Sequence, residues 1–293
     1  MHQDLEIKTH DGTTIRAWFY AAGPKAPVII LSAGLSGVQE HFLPSFAESF
    51  QKAGIAAVSF DHRNWGLSDG LPRHHSNHYQ QTQDTHDVVA YVSTELDIDP
   101  ERIAIWGSSF SGGIALIAGA VDPRVKVVIT QVPFVSGNHL RSQMPAPLLA
   151  RIYEDRAATT ESEPTYIPVF PEEYNAAQPD PAAAMMATEE SWHYYQHIKE
   201  LGIDKENRIT MQTLFHAIRS EPSAFVPFLN KPLFMAIASN DSLISPSKQQ
   251  EVFETAKDPK ALVRFDSGHF SLYEGALFEK NIAAQIDFLH NHL

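Results

Sequence analysis

The order of apolar and polar residues predicts most of the secondary structure of this chain. The segment "LEIKTHDGTTIRAWFYA" alternates around the turn "HDGT", which predicts an antiparallel hairpin. The segment "APVIILSAG" is a short, continuous apolar run rich in Val and Ile, as is typical of a strand buried on both faces. In "FLPSFAESFQKAG", Phe42, Phe46 and Phe50 recur at helical spacing, and Gly54 is expected to end that helix.

Strands and helices continue to alternate from residue 26 to residue 132. Further strands are predicted over "IAAVSFDHR", "RIAIWG" and "VKVVITQV", and helices over "TQDTHDVVAYVSTEL" and "SGGIALIAGAV". The same alternation returns late in the chain as "PLFMAIAS", "PSKQQEVFETA", "ALVRFDS" and "GALFEKNIAAQIDFLHNHL". This pattern predicts a mostly parallel, doubly wound α/β sheet with helices on both faces.

The stretch from residue 137 to residue 228 has a different character. It is rich in proline ("MPAPLL", "SEPTYIPVFPEEY", "QPDPAAAMM"), carries scattered helical patterns such as "SWHYYQHIKELG", and shows no clear strand. A connection this long in a compact fold is usually a domain or a functional lid. We therefore expect a helical cap at 137–228, inserted into an α/β core formed by residues 1–136 and 229–293.

Composition and charge exclude several classes of function. The chain has 293 residues, no cysteine and a formal net charge of −13 at pH 7. Because it lacks a cluster of Lys and Arg, we expect no nucleic-acid partner, and its negative charge argues against anionic membranes. The absence of cysteine excludes disulfides, thiolate metal sites and a Cys nucleophile. The polar start "MHQDLEIKTHDG" leads us to expect a cytoplasmic protein, and a homodimer stays open.

The turn "WGSSFSGG" carries the first chemical signal. A serine nucleophile on a sharp strand-to-helix turn needs small residues two positions before and after it. Ser109 meets this condition, with Gly107 and Ser111 at those positions. Ser111 meets it as well and stays an alternative, whereas bulky neighbours exclude Ser108. We favour Ser109, because it follows the strand end closely and leaves "SGG" for tight packing of the helix on the strand.

An acid and a base follow this turn in the order that such a nucleophile requires. Asp241 comes in "NDSLISP" just after one late strand, and His269 comes in "GHFSLYEG" after the next. Both would reach the carboxyl edge of the sheet, with His269 as the base and Asp241 as the group that orients it. Asp266 is an alternative acid, but its position at a strand end favours a structural role.

Two backbone N–H groups are expected to form an oxyanion hole. One is that of Phe110, directly after the nucleophile, and the other is that of Leu35 in the turn "LSAGLSG", where Gly34 allows close approach.

Four segments carry a resemblance to a known family: "SAGLSGVQEHFLPSFAESFQKAGIAAVSFDHRNWGLSDGLPR", "DPERIAIWGSSFSGG", "DPRVKVVITQVPFVSG" and "GHFSLYEG". They are similar to α/β-hydrolase-fold serine hydrolases of the group related to dienelactone hydrolases and X-Pro peptidases. That group includes fungal polyketide hydrolases and acyltransferases. The resemblance implies the triad Ser109, Asp241 and His269, and it implies that Asp61 and Arg63 form a structural pair.

The expected reaction is acyl transfer to water or another acceptor from an ester or thioester with a bulky hydrophobic acyl group, without metal or organic cofactor. A polyketide thioester on a carrier protein would need a local basic patch, for which Arg141, Arg151 and Arg156 are candidates. The alternatives are a peptidase, with "PEEY" or "ATEE" holding a free amino terminus, and a non-catalytic binding protein of the same fold.

Aromatic and histidine residues add weaker signals. Among the cap aromatics, Tyr153, Trp192 and Tyr195 are expected to line an acyl-binding wall. The histidines of "RHHSNH" are interpreted as a solvated loop rather than a metal site, and those of "SWHYYQH" as a helix surface.

Overall fold

A sheet of eight strands passes through the centre of the protein. The computed structural model describes residues 2–180, 183–203 and 206–293. The described residues form ten strands, which are, in chain order, β1 (Gln3–Lys8), β2 (Thr14–Tyr20), β3 (Ala26–Ser32), β4 (Ala56–Phe60), β5 (Ile98–Ser108), β6 (Val125–Gln131), β7 (Tyr166–Ile167), β8 (Ile209–Thr210), β9 (Leu233–Ala238) and β10 (Lys260–Phe265). All except β7 and β8 belong to the central sheet. The sheet order is β1-β2-β4-β3-β5-β6-β9-β10; neighbours from β4 to β10 are parallel, and β2 is antiparallel to both β1 and β4.

Helices cover both faces of this sheet. The α-helices of the described residues, in chain order, are α1 (Leu43–Lys52), α2 (His78–Glu95), α3 (Phe110–Val121), α4 (Gly137–Gln143), α5 (Ala146–Ala158), α6 (Glu189–Glu200), α7 (Met211–Ala217), α8 (Pro246–Glu254) and α9 (Gly275–His292). Apolar side chains of α2, α3 and α8 pack in one buried cluster, and those of α1 and α9 pack in another. The predicted doubly wound α/β fold is therefore confirmed.

The strands divide their side chains between these two clusters, as the period of two requires. In β3, Val28 and Ile30 contribute to the cluster of α2, α3 and α8, whereas Ile29 and Leu31 contribute to the cluster of α1 and α9. Burial on both faces explains why this strand is a continuous apolar run.

Local signals placed most element ends correctly. Lys8 of β1 pairs with Thr14 of β2 across the expected hairpin turn. Helix α1 ends at Lys52, and Gly54, two residues later, has a positive φ of 82° and donates its N–H to the carbonyl oxygen of Gln51 at 3.0 Å. Helix α2 begins four residues before the expected start, because Asn77 caps it and its polar first turn has no apolar period.

The segment 137–228, here called the insertion, joins β6 to β9 through helices α4 to α7. The expectation that it contains no strand was wrong, since β7 and β8 form an antiparallel pair. Each of these strands has only two residues, which is too short for any alternation to show in the sequence. Within the described ranges, no helix has the length and apolar character needed to cross a membrane.

Candidate active site

Ser109 lies on the turn between β5 and α3 in a strained backbone conformation. Its φ of 54° and ψ of −121° are unusual for a residue with a side chain. The Ser109 N–H donates to the carbonyl oxygen of Gln131 at 2.9 Å, and the Ser109 carbonyl oxygen accepts from Phe134 N–H at 2.7 Å. These bonds to β6 and the residues after it hold the turn, so the hydroxyl is presented at the carboxyl end of the sheet.

The small residues around this turn are required by close approach. A Cβ on Gly107 would overlap the carbonyl oxygen of Ser111, because the helix passes directly over the strand end. A Cβ on Gly34 would lie 2.8 Å from the Cβ of Ser109, because the turn after β3 passes next to the serine. The expectation that Gly34 allows close approach at this point agrees with this geometry.

Three predicted side chains meet in one hydrogen-bonded relay. The Oγ of Ser109 lies 3.0 Å from Nε2 of His269, and Nδ1 of His269 lies 2.7 Å from Oδ2 of Asp241. A carboxylate can only accept, so Nδ1 carries the proton and Nε2 is free to accept from the serine hydroxyl. The imidazole is 1% exposed, whereas Ser109 is partly open to solvent. The arrangement can therefore pass a proton from the serine to a shielded base.

The loop after β9 holds the carboxylate of Asp241 in place. Its Oδ1 accepts from the backbone N–H groups of Leu243 and Ile244, each at 2.8 Å, which leaves Oδ2 for His269. Asp266, the alternative acid, instead accepts from Nδ2 of Asn240 at 2.9 Å. The predicted preference for Asp241 agrees with this arrangement.

Ser111, the alternative nucleophile, has another contact pattern. Its hydroxyl donates a short hydrogen bond to the carbonyl oxygen of Ala33 and lies 2.8 Å from Nε2 of His62. Burial, and to a lesser extent His78, lowers the pKa of His62 to about 3, so this imidazole is neutral and donates to Ser111. Ser111 therefore links α3 to the turn after β3. The presence of serine where the usual pattern has glycine could have indicated this role.

The proposed oxyanion donors, Leu35 and Phe110, lie at the same cavity as Ser109. Phe110 is the first residue of α3, and the first N–H groups of a helix have no partner within the helix. The Phe110 carbonyl oxygen, which belongs to the next peptide group, accepts from Nε2 of His78 on α2 at 3.2 Å, and this bond holds the first turn of α3.

Two cavities of unequal size meet at Ser109. The larger has a volume of about 520 Å³, and its wall includes Phe110, Phe134, Leu140 and Ile244. The smaller has a volume of about 40 Å³ and is walled mainly by aromatic and aliphatic residues. The residues that the insertion contributes to these two walls are His139, Leu140, Gln143, Phe170, Met185, Met186, Tyr194 and Ala217.

The three aromatic residues expected to line the acyl site do not line either cavity. Tyr153 is 52% exposed on α5. Trp192 donates to a backbone oxygen at 3.3 Å, and Tyr195 stacks on Phe170 inside the insertion. Tyr194 reaches the smaller cavity instead. The sequence places Trp192, Tyr194 and Tyr195 on one helix but does not show which side of that helix faces the core.

Helix α6 brings an aromatic ring against Phe270, the residue after the base. The ring of Tyr194 stacks on the ring of Phe270, with centroids 3.9 Å apart and an angle of 7° between the planes. Burial raises the pKa of the Tyr194 hydroxyl well above its usual value, so it stays protonated. No sequence signal singled out this pair, because stacking depends on how two distant segments pack.

The interpretation of "RHHSNH" as a solvated loop was wrong. Nδ1 of His75 lies 2.7 Å from Oγ1 of Thr210, and Nδ1 of His78 lies 2.7 Å from Oγ of Ser220. Burial lowers the pKa of each of these two imidazoles to about 4. Both histidines therefore join the core to the insertion as neutral hydrogen-bonding groups.

Asp61 and Arg63 do not form the pair that the resemblance implied. Nε of Arg63 donates to Oδ2 of Asp84 at 2.6 Å, and its Nη1 donates to Oδ2 of Asp11 at 2.8 Å. Oδ1 of Asp61 accepts from Gln39 N–H at 2.7 Å, and burial raises the pKa of Asp61 to about 6. Both charged residues serve the loops beside the site, but with different partners.

The remaining charged candidates lie at the surface of the insertion. Arg141 and Arg151 are exposed on α4 and α5, and the guanidinium of Arg156 lies 5.0 Å from the centre of the Phe215 ring. The described residues, 2–180, 183–203 and 206–293, contain no group of three or more His, Asp or Glu side chains placed to hold a metal ion.

Known proteins resemble this chain along most of its length. The sequence profile of the family described as "Serine aminopeptidase, S33" matches residues 23–273. The polyketide transferase grgF of a Penicillium species is 31% identical over 99% of this chain and 96% of its own length. A thiohydrolase of Eupenicillium brefeldianum is 31% identical over 94% of this chain and 90% of its own length. The solved structure of DcsB in complex with its substrate analogue covers 100% of both chains with a TM-score of 0.87 and 27% identity.

Proposed function

Because this chain belongs to the serine aminopeptidase S33 family of α/β hydrolases, we propose that it transfers a bulky apolar acyl group from an ester or thioester through an acyl-enzyme on Ser109. The observation that carries the proposal is the relay of Asp241, His269 and Ser109, which opens into a mainly apolar cavity of about 520 Å³. The names of two relatives, a polyketide transferase and a thiohydrolase, support this class of substrate.

The proposed reaction has two halves. Nε2 of His269 takes the proton of Ser109 as Oγ attacks the acyl carbonyl, and Asp241 stabilises the resulting imidazolium. The N–H groups of Leu35 and Phe110 stabilise the oxyanion, and the loss of one such donor costs about 3 kcal/mol in the barrier. The imidazolium then protonates the departing alcohol or thiol. In the second half, His269 takes a proton from water or another acceptor, which attacks the acyl-enzyme and releases Ser109.

We include the insertion in this proposal as a cap over the reacting groups. Leu140 and Met185 extend from it into the wall of the larger cavity, and Phe170 and Tyr194 extend into the wall of the smaller one. A wall built mostly of apolar side chains favours an apolar acyl group, since burial contributes about 25 cal/mol per Å² of apolar surface.

An aminopeptidase is the second candidate, because the family description names one. Such an enzyme needs a carboxylate that holds the free amino group of its substrate. Among the described residues that line the two cavities, Asp241 is the one acidic group, and it is bonded to His269. Glu172 of "PEEY" instead accepts from Nδ2 of Asn207 at 2.9 Å and from the hydroxyl of Tyr195 at 3.2 Å. This geometry favours the acyl-transfer proposal.

The test is labelling with a fluorophosphonate probe, together with hydrolysis of a decanoyl thioester of N-acetylcysteamine and of a dipeptide amide. We expect the native protein to be labelled and to cleave the thioester at least about 100-fold faster than the amide. Ser109→Ala should abolish both labelling and cleavage, and Ser111→Ala should still be labelled. A native protein that resists the probe would be a binding protein rather than an enzyme. Faster cleavage of the amide would instead make it a peptidase.

A further inference from the structure

Glu190, on the first turn of α6, reaches out of the insertion to both loops that carry the relay. Its Oε2 accepts from the hydroxyl of Ser242 at 2.7 Å and from the Ser242 N–H at 3.3 Å. Its Oε1 accepts from the N–H of Phe270 at 3.2 Å. Ser242 directly follows Asp241, and Phe270 directly follows His269. One carboxylate therefore bridges the residue after the acid and the residue after the base.

The surroundings of Glu190 are shaped around this bridge. A Cβ on Gly268 would overlap Oε1 of Glu190, so the residue before His269 must lack a side chain for the carboxylate to fit. Oγ of Ser242 also lies 3.3 Å from Oγ1 of Thr188, the N-cap of α6. Four residues along the same helix, Tyr194 stacks on the ring of Phe270.

The charge of Glu190 serves these hydrogen bonds. In the part of the chain that the structure describes, none of the ion pairs includes Glu190, although its neighbour Glu189 lies 3.9 Å from His193. Hydrogen bonds to an ionised acceptor are roughly twice as strong as neutral ones. A carboxylate that accepts from two loops fixes the distance between them more firmly than an uncharged side chain would.

We propose that Glu190 is a positioning residue, which holds the loop of Asp241 and the loop of His269 at the spacing that the relay needs. This inference rests on the proposed function, in which those two residues act on Ser109. Because the bridge starts in the insertion, the relay is fully ordered only while α6 is seated on the two loops. Glu190 itself lines neither cavity, so it acts through its neighbours rather than on the substrate.

The test compares Glu190→Ala with Glu189→Ala. Both substitutions remove a glutamate side chain from the first turn of α6, but the side chain of Glu189 faces solvent. We expect Glu190→Ala to lower kcat for a short nitrophenyl ester by about 30-fold while KM changes by less than about twofold, because only the orientation of the base is lost. The final stoichiometry of fluorophosphonate labelling should stay native, which shows that the protein is folded. Ser242→Ala alone should lower kcat about threefold, and it should lower kcat no further when it is combined with Glu190→Ala.

Hydrogen–deuterium exchange gives a readout that does not need activity. Glu190→Ala should speed exchange about tenfold in peptides covering 239–245 and 266–274, and Glu189→Ala should leave both unchanged. Unchanged exchange in both peptides, or a loss of labelling stoichiometry that matches the loss of kcat, would overturn the role of Glu190. A native protein without esterase activity but with the expected exchange would overturn the proposed function and leave the bridge standing.

Discussion

The α/β core and the insertion supply different parts of the candidate site. The core provides the proposed reacting groups, and each of these is fixed by at least two hydrogen bonds; Asp241, for example, accepts from two backbone N–H groups as well as from His269. The insertion mainly provides apolar side chains such as Leu140 and Met186, which meet the substrate space without such bonds. Apart from the bridge that Glu190 forms, the core should therefore decide whether acyl transfer occurs, and the insertion should decide which acyl group is transferred.

The largest expected effect comes from placing a larger side chain in the insertion, which should change which acyl groups are accepted. Leu140→Trp fills part of the cavity beside Phe110 and Phe134. We expect kcat/KM for a decanoyl ester to fall about 100-fold, and that for an acetyl ester to stay within about twofold. Steady-state kinetics on the two nitrophenyl esters measures the ratio.

The matched control for this change is Leu201→Trp. Leu201 is 53% exposed at the end of α6 and lies outside both cavities, so the same substitution there should alter neither ester. If Leu140→Trp slowed both esters equally, the apolar wall of the insertion would be affecting the chemistry, and the comparison with the core would break down.

The next prediction concerns the α/β core and tests the hydroxyl of Ser111. Ser111→Ala and Ser111→Gly both remove the hydrogen bond to Ala33 and leave His62 without its acceptor. We expect kcat to fall about tenfold for short and long esters alike, because the turn that carries Leu35 loses a support of the oxyanion hole. Thermal unfolding should also show a loss of about 1–3 kcal/mol, since buried polar groups become unpaired.

The two substitutions control for one another. The glycine variant restores the common G-x-S-x-G pattern, and the alanine variant keeps a Cβ, so equal losses assign the effect to the hydroxyl. Full activity in Ser111→Ala, with a loss of activity only in Ser111→Gly, would assign that loss to increased flexibility of α3 instead.

The smallest expected effect is a dependence of stability on pH at the contact between core and insertion. His75 has a folded-state pKa of about 4, below the value of about 6.5 in an unfolded chain. Above pH 6.5 both states are neutral, and below it only the unfolded state takes up the proton. Stability should therefore fall as the pH drops from about 6.5 to about 4, by at most about 1.4 kcal/mol per pH unit for this histidine.

The measurement is urea unfolding at a series of pH values. His75→Gln should reduce the slope in this window by the contribution of one histidine, because burial also lowers the pKa values of His62, His78 and His216, and these contributions remain. His193→Gln, which changes an exposed residue of α6, should leave the slope unchanged. Burial raises the pKa of Asp61 to about 6, which makes an opposing contribution between about pH 4 and 6, present in all three proteins. A native slope in His75→Gln would show that this imidazole is protonated in the folded state.

The sequence was sufficient for features that depend on local chemistry. The period of the strands and the small residues around Ser109 indicated what the structure contains, because each is set by neighbours in the chain. The chain order of serine, acid and base did so because each of them follows a predicted strand, and the carboxyl ends of parallel strands meet at one edge of the sheet. The failures arose where distant segments meet. Tyr195 and Tyr194 are adjacent in sequence, and only the packing of α6 decides that Tyr194 reaches the smaller cavity. His75 and His78 likewise were predicted to be solvated, because the sequence does not show that the insertion covers them.

The two unequal cavities beside Ser109 have a consequence for the fate of the acyl-enzyme. A volume of about 40 Å³ accommodates roughly three water molecules, since one needs about 10–15 Å³ of such space. An alcohol or amine acceptor larger than this must either separate the rings of Phe270 and Tyr194 or enter through the larger cavity after the first product has left. The partition between hydrolysis and transfer is then decided by the order in which the two spaces empty and refill.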